Sequence, residues 1–113
     1  MHELALSESI LELLLEQSRA AHLSRITRVV LEIGALSGVE PEALRFCFDA
    51  VTRNSAAEGA ALHIAWREAA GACGRCGETF SLDSFMTPCP ACGAYGVTPT
   101  AGLELRVSEF EGL

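Results

Sequence analysis

The chain has 113 residues, of which 50% are hydrophobic and 20% are charged, and its net charge is −7. This length and composition are typical of one globular domain with at most a small appendage, and they exclude an intrinsically disordered chain. Because the 8 basic residues are outnumbered by 15 acidic ones and form no basic run, we expect no nucleic-acid partner.

The N-terminal segment argues against targeting to a membrane or to the secretory route. It contains Glu3, Glu8, Glu12 and Glu16 and no basic stretch, whereas a signal peptide begins with basic residues followed by an unbroken apolar run. No segment approaches the roughly 20 apolar residues of a membrane span. We therefore expect a cytoplasmic protein with no membrane partner, whose cysteines are metal ligands or thiols rather than disulfides.

The first part of the chain predicts a helix followed by a strand. Apolar residues recur at helical spacing over roughly residues 4–20, with acidic residues on the opposite face. The apolar stripe consists of Leu6, Ile10, Leu13 and Leu14, widened by Leu4, Leu11 and Leu15. The segment Ile26–Ile33 alternates instead and predicts a half-buried strand that ends at Gly34. Its two predicted faces are Thr27, Val29, Leu31 and Ile33 on one side, and Arg28 and Glu32 on the other.

A second helix and two more strands are predicted further along the chain. Pro41 suits the first turn of a helix, and the apolar positions that follow it at helical spacing are Leu44, Cys47, Phe48 and Val51. Alternation predicts strands near residues 62–67 and 103–108. The predicted fold class is therefore α+β, with two helices packed on a small three-stranded sheet.

Residues 71–100 interrupt this pattern. They are rich in glycine, proline and cysteine and show little aliphatic periodicity. A segment this short cannot build its own hydrophobic core and needs disulfide bonds or a bound metal ion to hold it together. We therefore predict that residues 1–70 plus 101–113 form an αβ domain into which residues 71–100 are inserted as a zinc-ribbon-like subdomain.

This segment contains a pair of CxxC motifs with the spacing C-x2-C-x12-C-x2-C, formed by Cys73, Cys76, Cys89 and Cys92. Two residues between cysteines let one tight turn aim both sulfurs at one point, and the glycine behind each pair permits a left-handed backbone. Four thiolates arranged this way suit tetrahedral Zn²⁺. Because no ligand position is left open, a structural role is expected. Iron is the alternative, since CPACG also resembles the iron-binding turns of rubredoxin.

Three further residues could bind metal but have simpler interpretations. Cys47 lies on the apolar stripe of the second helix and is predicted to be a small buried hydrophobic residue. His22 follows the first helix and His63 lies on the outer face of the second strand. Both are predicted to be surface histidines rather than auxiliary ligands.

The chain starts with Met1-His2-Glu3, a combination that can chelate one metal ion. The α-amine and the His2 backbone nitrogen close a five-membered ring through a metal, and that backbone nitrogen and the His2 Nδ1 close a six-membered ring. Glu3 or a water can complete a square. Planar four-coordinate nitrogen sites favour Ni²⁺ or Cu²⁺ over Zn²⁺. The helix dipole works against a cation at this end unless the helix starts a few residues later.

The motifs together resemble one family. MHE at residues 1–3, VVLEIGALSGVEPEALRF at 29–46, EGA at 58–60, the paired CxxC motifs and GLELRVSEFE at 102–111 occur in this order. They resemble the HypA/HybF family, the nickel metallochaperones of [NiFe]-hydrogenase maturation, over nearly the whole chain.

This resemblance implies a function and a set of ligands. Nickel would be bound by the Met1 amine, His2 and Glu3, and a structural zinc by the four cysteines. A maturation GTPase and the hydrogenase large subunit would be partners, and in some bacteria such proteins also supply urease. No catalytic motif is recognisable in the sequence, so we expect no enzyme activity. The alternative is a zinc-ribbon module that binds protein or nucleic acid and has no nickel function.

Overall fold

A computed structural model describes residues 2–113 of the chain. Its elements are α1 (His2–Ala20), β1 (Ile26–Gly34), α2 (Pro41–Val51), β2 (Ala61–Arg67), β3 (Ala70–Cys73), β4 (Thr79–Ser81), β5 (Val97–Ala101) and β6 (Leu105–Gly112). None of the described helices is long and apolar enough to cross a membrane.

The strands form two three-stranded sheets, in the orders β2-β1-β6 and β4-β3-β5. Two helices and the first of these sheets confirm the predicted α+β class. The second sheet lies within the cysteine-rich part of the chain and was not predicted. The chain divides into two compact units: the first contains Val39–Ala65, Val107–Leu113 and the described residues up to Leu31, and the second contains Glu32–Gly38 and Trp66–Arg106.

The two helices pack against each other within the first unit. On α1, Ile10 and Leu14 are buried as the helical spacing predicts. Two serines, Ser7 and Ser18, are also buried, and each hydroxyl donates to a carbonyl one turn earlier on the same helix, which satisfies it without a tertiary partner. Leu13 differs from the prediction, because its side chain remains 44% exposed.

Local signals in the sequence explain where α2 begins and ends. Glu40 is the residue before the helix, and its carboxylate accepts a hydrogen bond from the Ala43 N–H at 2.7 Å. Pro41 follows at the first helical position, where its missing N–H costs no hydrogen bond. At the other end, the Thr52 hydroxyl and N–H both donate to the Phe48 carbonyl. The helix buries Leu44, Cys47 and Phe48.

Strand β1 is the central strand of its sheet, and it is more buried than the alternating pattern predicted. Every residue from Val29 to Gly34 is buried. The prediction that Glu32 faces solvent is therefore wrong, because the residue is only 7% exposed. Two arginines of the second unit compensate its charge: Arg67 Nη2 donates to Glu32 Oε1 at 2.7 Å, and Arg106 Nε donates to Glu32 Oε2.

These contacts change the acidity of the carboxyl group. The hydrogen bond from Arg106, followed by that from Arg67, lowers the pKa of Glu32 to about 2. A carboxyl group whose pKa is lower in the folded than in the unfolded chain stabilises the fold at pH values above the unfolded pKa of about 4.3. This contribution is lost as the pH falls from that value toward 2 and the group is protonated.

We expect Glu32→Gln to lower the thermal unfolding midpoint at pH 7, because two arginines then lose their counter-charge. The stability of the variant should also fall less steeply than that of the wild type between about pH 4.5 and pH 2. Thermal unfolding followed by circular dichroism across this pH range measures both effects. The exposed Glu8→Gln serves as the control, and equal acid sensitivity of Glu32→Gln and the wild type would contradict this role of Glu32.

The sequence does not predict the second sheet, because its strands are short and contain few aliphatic residues. Central strand β3 pairs antiparallel with β4 on one side and with β5 on the other. Gly71 in β3 lies so close to β5 that a Cβ atom there would clash with Val97 Cγ2. Pro99 is placed in β5, an edge strand, where a missing N–H is tolerated. Leu82 and Cys73 are among the few buried apolar residues of this unit.

Candidate metal centre

The two CxxC motifs form two turns of the same design. Gly77 N–H donates to the Cys73 carbonyl at 3.0 Å, and Gly93 N–H donates to the Cys89 carbonyl at 2.8 Å. Both glycines have a left-handed backbone, with φ of 79° for Gly77 and 75° for Gly93, a conformation that glycine adopts at little cost. The repeated sequence therefore folds into a repeated turn, as the spacing predicted.

The turns bring all four cysteine sulfurs together. The Sγ atoms of Cys73, Cys76, Cys89 and Cys92 all lie within 4.8 Å of one another. The Cys73–Cys92 and Cys76–Cys89 pairs are each 3.6 Å apart. A tetrahedral zinc site with bonds of about 2.3 Å requires sulfurs about 3.8 Å apart. The four thiols thus fit zinc, and they are too far apart to be disulfides, which have S–S bonds of about 2.05 Å.

The surroundings of the sulfurs favour a bound cation. Backbone N–H groups of Cys76 and Arg75 donate to Cys73 Sγ and lower the pKa of that thiol to about 6. At Cys76, the Glu78 N–H acts to lower the pKa, but the hydrogen bond to Cys89 and desolvation outweigh it and raise the pKa to about 12. The Cys73 thiol therefore loses its proton readily, whereas the Cys76 thiol resists deprotonation. A bound cation would compensate the negative charge and allow the second thiolate to form.

The centre is closed, as expected of a structural site. Cys73 and Cys89 are buried, whereas Cys76 and Cys92 are exposed. Within residues 2–113, these four cysteines form the one group of three or more histidine, cysteine or acidic residues near enough to share a metal ion. The four cysteines would supply all four ligands of a tetrahedral ion and would leave no position for a substrate.

The burial of the other three candidate residues agrees with the sequence prediction. Cys47 is buried on α2 and stands apart from the cysteine cluster. His22 and His63 are both exposed. His22, two residues after the end of α1, has a left-handed backbone with φ of 59°.

The N-terminal candidate site is only partly described. The Met1 amine, which the sequence predicts as a nickel ligand, lies outside the described residues. Helix α1 begins at His2, whose side chain is exposed. The Glu3 carboxylate reaches the start of α2, where its Oε2 accepts a hydrogen bond from the Glu40 N–H at 3.3 Å. This bond lowers the pKa of Glu3. The contact joins residues 37 positions apart in sequence, so local sequence patterns could not predict it.

Comparisons with known proteins match the chain over nearly its full length. The profile of a family described as "HypA: Hydrogenase/urease nickel incorporation, metallochaperone" matches residues 1–112. The chain is 50% identical over 111 residues to "Hydrogenase maturation factor HypA" of Dechloromonas aromatica, and the alignment covers 98% of both proteins. It is 49% identical to the protein of the same name from Geobacter sulfurreducens, also over 98% of both.

Solved structures agree with these matches. The solution structure of the Ni metallochaperone HypA from Helicobacter pylori superposes with a TM-score of 0.72 at 25% identity, covering 98% of this chain and 97% of the other. A second solution structure, of a HypA protein, gives a TM-score of 0.75 at 27% identity and covers 100% of this chain and 97% of the other.

Proposed function

This chain belongs to the HypA family of nickel-incorporation metallochaperones, and from this premise we propose that it binds Ni(II) at its N-terminus and delivers it during maturation of [NiFe]-hydrogenase. The observation that carries the proposal is the family match over residues 1–112, which includes the N-terminus as well as the cysteine-rich part. The alternative, a zinc-ribbon module without nickel function, is not favoured, because it accounts for the cysteines alone.

In the proposed site, the ligands are the Met1 amine, the backbone nitrogen and Nδ1 of His2, and either Glu3 or a water. The backbone supports this arrangement in one respect. Because α1 begins at His2, the N–H of that residue belongs to the first turn, whose N–H groups have no partner within the helix. Binding nickel through this nitrogen therefore breaks no helical hydrogen bond. The negative charge on the deprotonated nitrogen also offsets part of the unfavourable helix dipole.

Glu3 is the adjustable ligand of the proposed site. Its Oε2 already accepts the Glu40 N–H, so coordination would use Oε1 or would leave the fourth position to water. Three nitrogens of the first two residues form the rest of the square. A carrier that holds its cargo at an exposed chain end can hand it over by exchanging ligands one at a time. Because the nitrogens must lose protons to bind, nickel affinity should fall as the pH is lowered.

Zinc has a separate role in this proposal. Cys73, Cys76, Cys89 and Cys92 would hold it, and it would join the two turns into one rigid unit. These residues close the ion off from substrates, so nickel and zinc occupy different places and serve different purposes. We propose that the chain is not an enzyme, because the cysteine centre would leave no metal coordination position open for a substrate and the sequence has no recognisable catalytic motif.

We further propose that the chain acts in the cytoplasm, with a maturation GTPase and the hydrogenase large subunit as its partners. The reduced cysteine centre suits a reducing compartment. Delivery to urease is a further proposed role, supported by the description of the family as one of hydrogenase and urease nickel incorporation.

Restoration of hydrogenase activity tests the function in cells. In a bacterium whose own HypA gene is deleted, we expect this chain to restore hydrogenase activity at low external nickel. His2→Ala should not restore it at low nickel but should do so partly at high nickel, because unassisted loading then becomes faster. The exposed Glu8→Ala is the matched control and should behave as the wild type. Full restoration by His2→Ala at low nickel would contradict the proposed site.

A further inference from the structure

The free edge of strand β6 has the features of a site for another strand. In the sheet order β2-β1-β6, β6 is an edge strand of eight residues in the described chain. An edge strand presents unpaired backbone N–H and C=O groups, and proteins normally shorten it, cover it, interrupt it with proline or place charged side chains on it, which repel a second copy of the same strand. Among the described residues, the other edge strands are protected by the first three of these means, whereas β6 has only its charged side chains. Strand β4 has only three residues, β5 contains Pro99, and the Leu62 carbonyl of β2 accepts a hydrogen bond from Arg45.

An apolar groove lies beside this edge. It has a volume of about 430 Å³ and is lined by Leu13, Leu14 and Gln17 of α1 and by β6 residues that include Val107 and Phe110. Leu13, which belongs to the predicted core stripe, is 44% exposed here. The groove thus gives an added strand a place to bury alternate apolar side chains, and it accounts for a leucine that the core leaves uncovered.

Acidic side chains lie along the same edge, and one of them, Glu109, also lines the groove. Glu109 and Glu111 both approach the Arg28 guanidinium, at 3.9 Å and 3.8 Å, and their side chains are 62% and 61% exposed. Two carboxylates therefore share one cation at long range and leave a net negative charge. Phe110 lies between them in sequence, and it lines the groove together with Val107, Ser108 and Glu109.

From this geometry we infer that β6 binds an extended segment of a partner protein in which apolar and basic residues alternate. The apolar residues would enter the groove beside Leu13 and Phe110, and the basic residues would face Glu109 and Glu111. Backbone hydrogen bonds to the edge would supply affinity, and the side chains would supply specificity. A second copy of this chain fits poorly, since pairing β6 with β6 brings four carboxylates together. The inference goes beyond the proposed function and is independent of the nickel ligands.

The test uses an octapeptide that alternates valine with lysine, acetylated and amidated at its ends, whose extended length of about 26 Å matches an eight-residue strand. We expect saturable binding below about 1 mM, with slower amide hydrogen exchange over Val107–Glu111. A peptide with glutamate in place of lysine should not bind. A peptide N-methylated at every residue should not bind either, since neither of its sides retains an N–H group to donate to the edge.

Two variants separate the contribution of the acidic side chains from that of the apolar ones. Glu109→Gln with Glu111→Gln should weaken lysine-peptide binding by about fivefold, the effect of losing two exposed charges. Leu13→Asp should weaken it more than about tenfold, and its exposed position makes unfolding a minor risk. Glu8→Gln with Glu58→Gln removes the same charge elsewhere and should change the affinity less than twofold.

Three outcomes would overturn the inference. The first is absence of binding by the lysine peptide, and the second is binding that both variants leave unchanged. The third is a dimer of the wild-type chain, seen by sedimentation equilibrium, that Leu13→Asp dissociates, since the edge would then serve self-association. All these variants should bind nickel as the wild type does, so failure of this inference is distinguishable from failure of the nickel site.

Discussion

Replacement of His2 by alanine is expected to weaken nickel binding by at least about a hundredfold while leaving the fold and zinc content unchanged. The substitution removes the Nδ1 ligand and with it the six-membered chelate ring, so two of the three proposed nitrogens must bind without the third. Mutation of a residue that only orients a metal ligand already lowers metal affinity by about 10- to 100-fold. Loss of a ligand itself should lower the nickel affinity further. Titration of the metal-free, untagged chain with Ni²⁺, followed by calorimetry and absorption spectroscopy, measures the effect.

The matched control is His63→Ala. This residue is also exposed, and its loss removes an imidazole from the surface without touching the N-terminus. It should bind nickel as the wild type does. If both alanine variants lose affinity equally, nickel is bound by surface histidines in general, and the proposed site is wrong.

Replacement of Cys73 by serine is expected to release zinc and to disorder residues 71–100, while α1, α2 and the first sheet remain folded. Cys73 is buried, ends β3 and lies 3.6 Å from the Cys92 sulfur. The second sheet buries few apolar side chains, so it depends on the metal. Structural zinc sites contribute about 10–16 kcal/mol of apparent binding free energy, more than such a small unit can replace. Metal analysis measures zinc, and nuclear magnetic resonance reports which amides lose dispersion.

Cys47→Ala is the control for this prediction, because it removes a buried cysteine outside the cluster. It should keep one zinc per chain. A Cys73→Ser chain that retains stoichiometric zinc would count against a four-cysteine site. Simultaneous loss of α1 and α2 would instead count against the proposed division at residues 71–100. The colour of the protein separates the two metals, since a four-cysteine iron site is red and a zinc site is colourless.

Elements with a strong periodic pattern could be predicted from the sequence. Helix α1 was predicted at roughly 4–20 and is found at His2–Ala20, and α2 begins at Pro41 as its proline signal indicated. The strand predicted near residues 103–108 is found at Leu105–Gly112. The predicted strand ends too early, near residue 108. Beyond that point Glu109 and Glu111 flank a single apolar residue, Phe110, and this pattern is too short to indicate a half-buried strand.

Other features depend on tertiary contacts that no local pattern encodes. Glu32 looked like a solvent-facing residue, yet it is buried because Arg67 and Arg106 reach it from 35 and 74 positions away. Leu13 shares its helical face with buried Leu14 but lies beside an open sheet edge. The second sheet depends on close approach at Gly71 rather than on aliphatic alternation.

The two candidate metal sites differ in how far the sequence alone could define them. The spacing of the four cysteines predicted their convergence, because a tight CxxC turn allows few directions for its sulfurs, and the structure brings these sulfurs together. The nickel site was predicted from chemistry at the chain end and from family resemblance. Its ligands Met1, His2 and Glu3 stay a proposal, and the hydrogen bond from Glu40 to Glu3 adds a contact that any nickel complex must accommodate.

The most direct test of the nickel site is one titration of two untagged chains that differ by a single glycine placed ahead of Met1. The extension keeps every side chain but converts the Met1 amine into an amide and moves the free amine away from His2. We predict that the extended chain folds and holds zinc normally, yet loses the absorption of planar four-coordinate nickel and binds nickel at least about a hundredfold more weakly. Equal affinity and identical spectra for the two chains would contradict a site built on the free N-terminus.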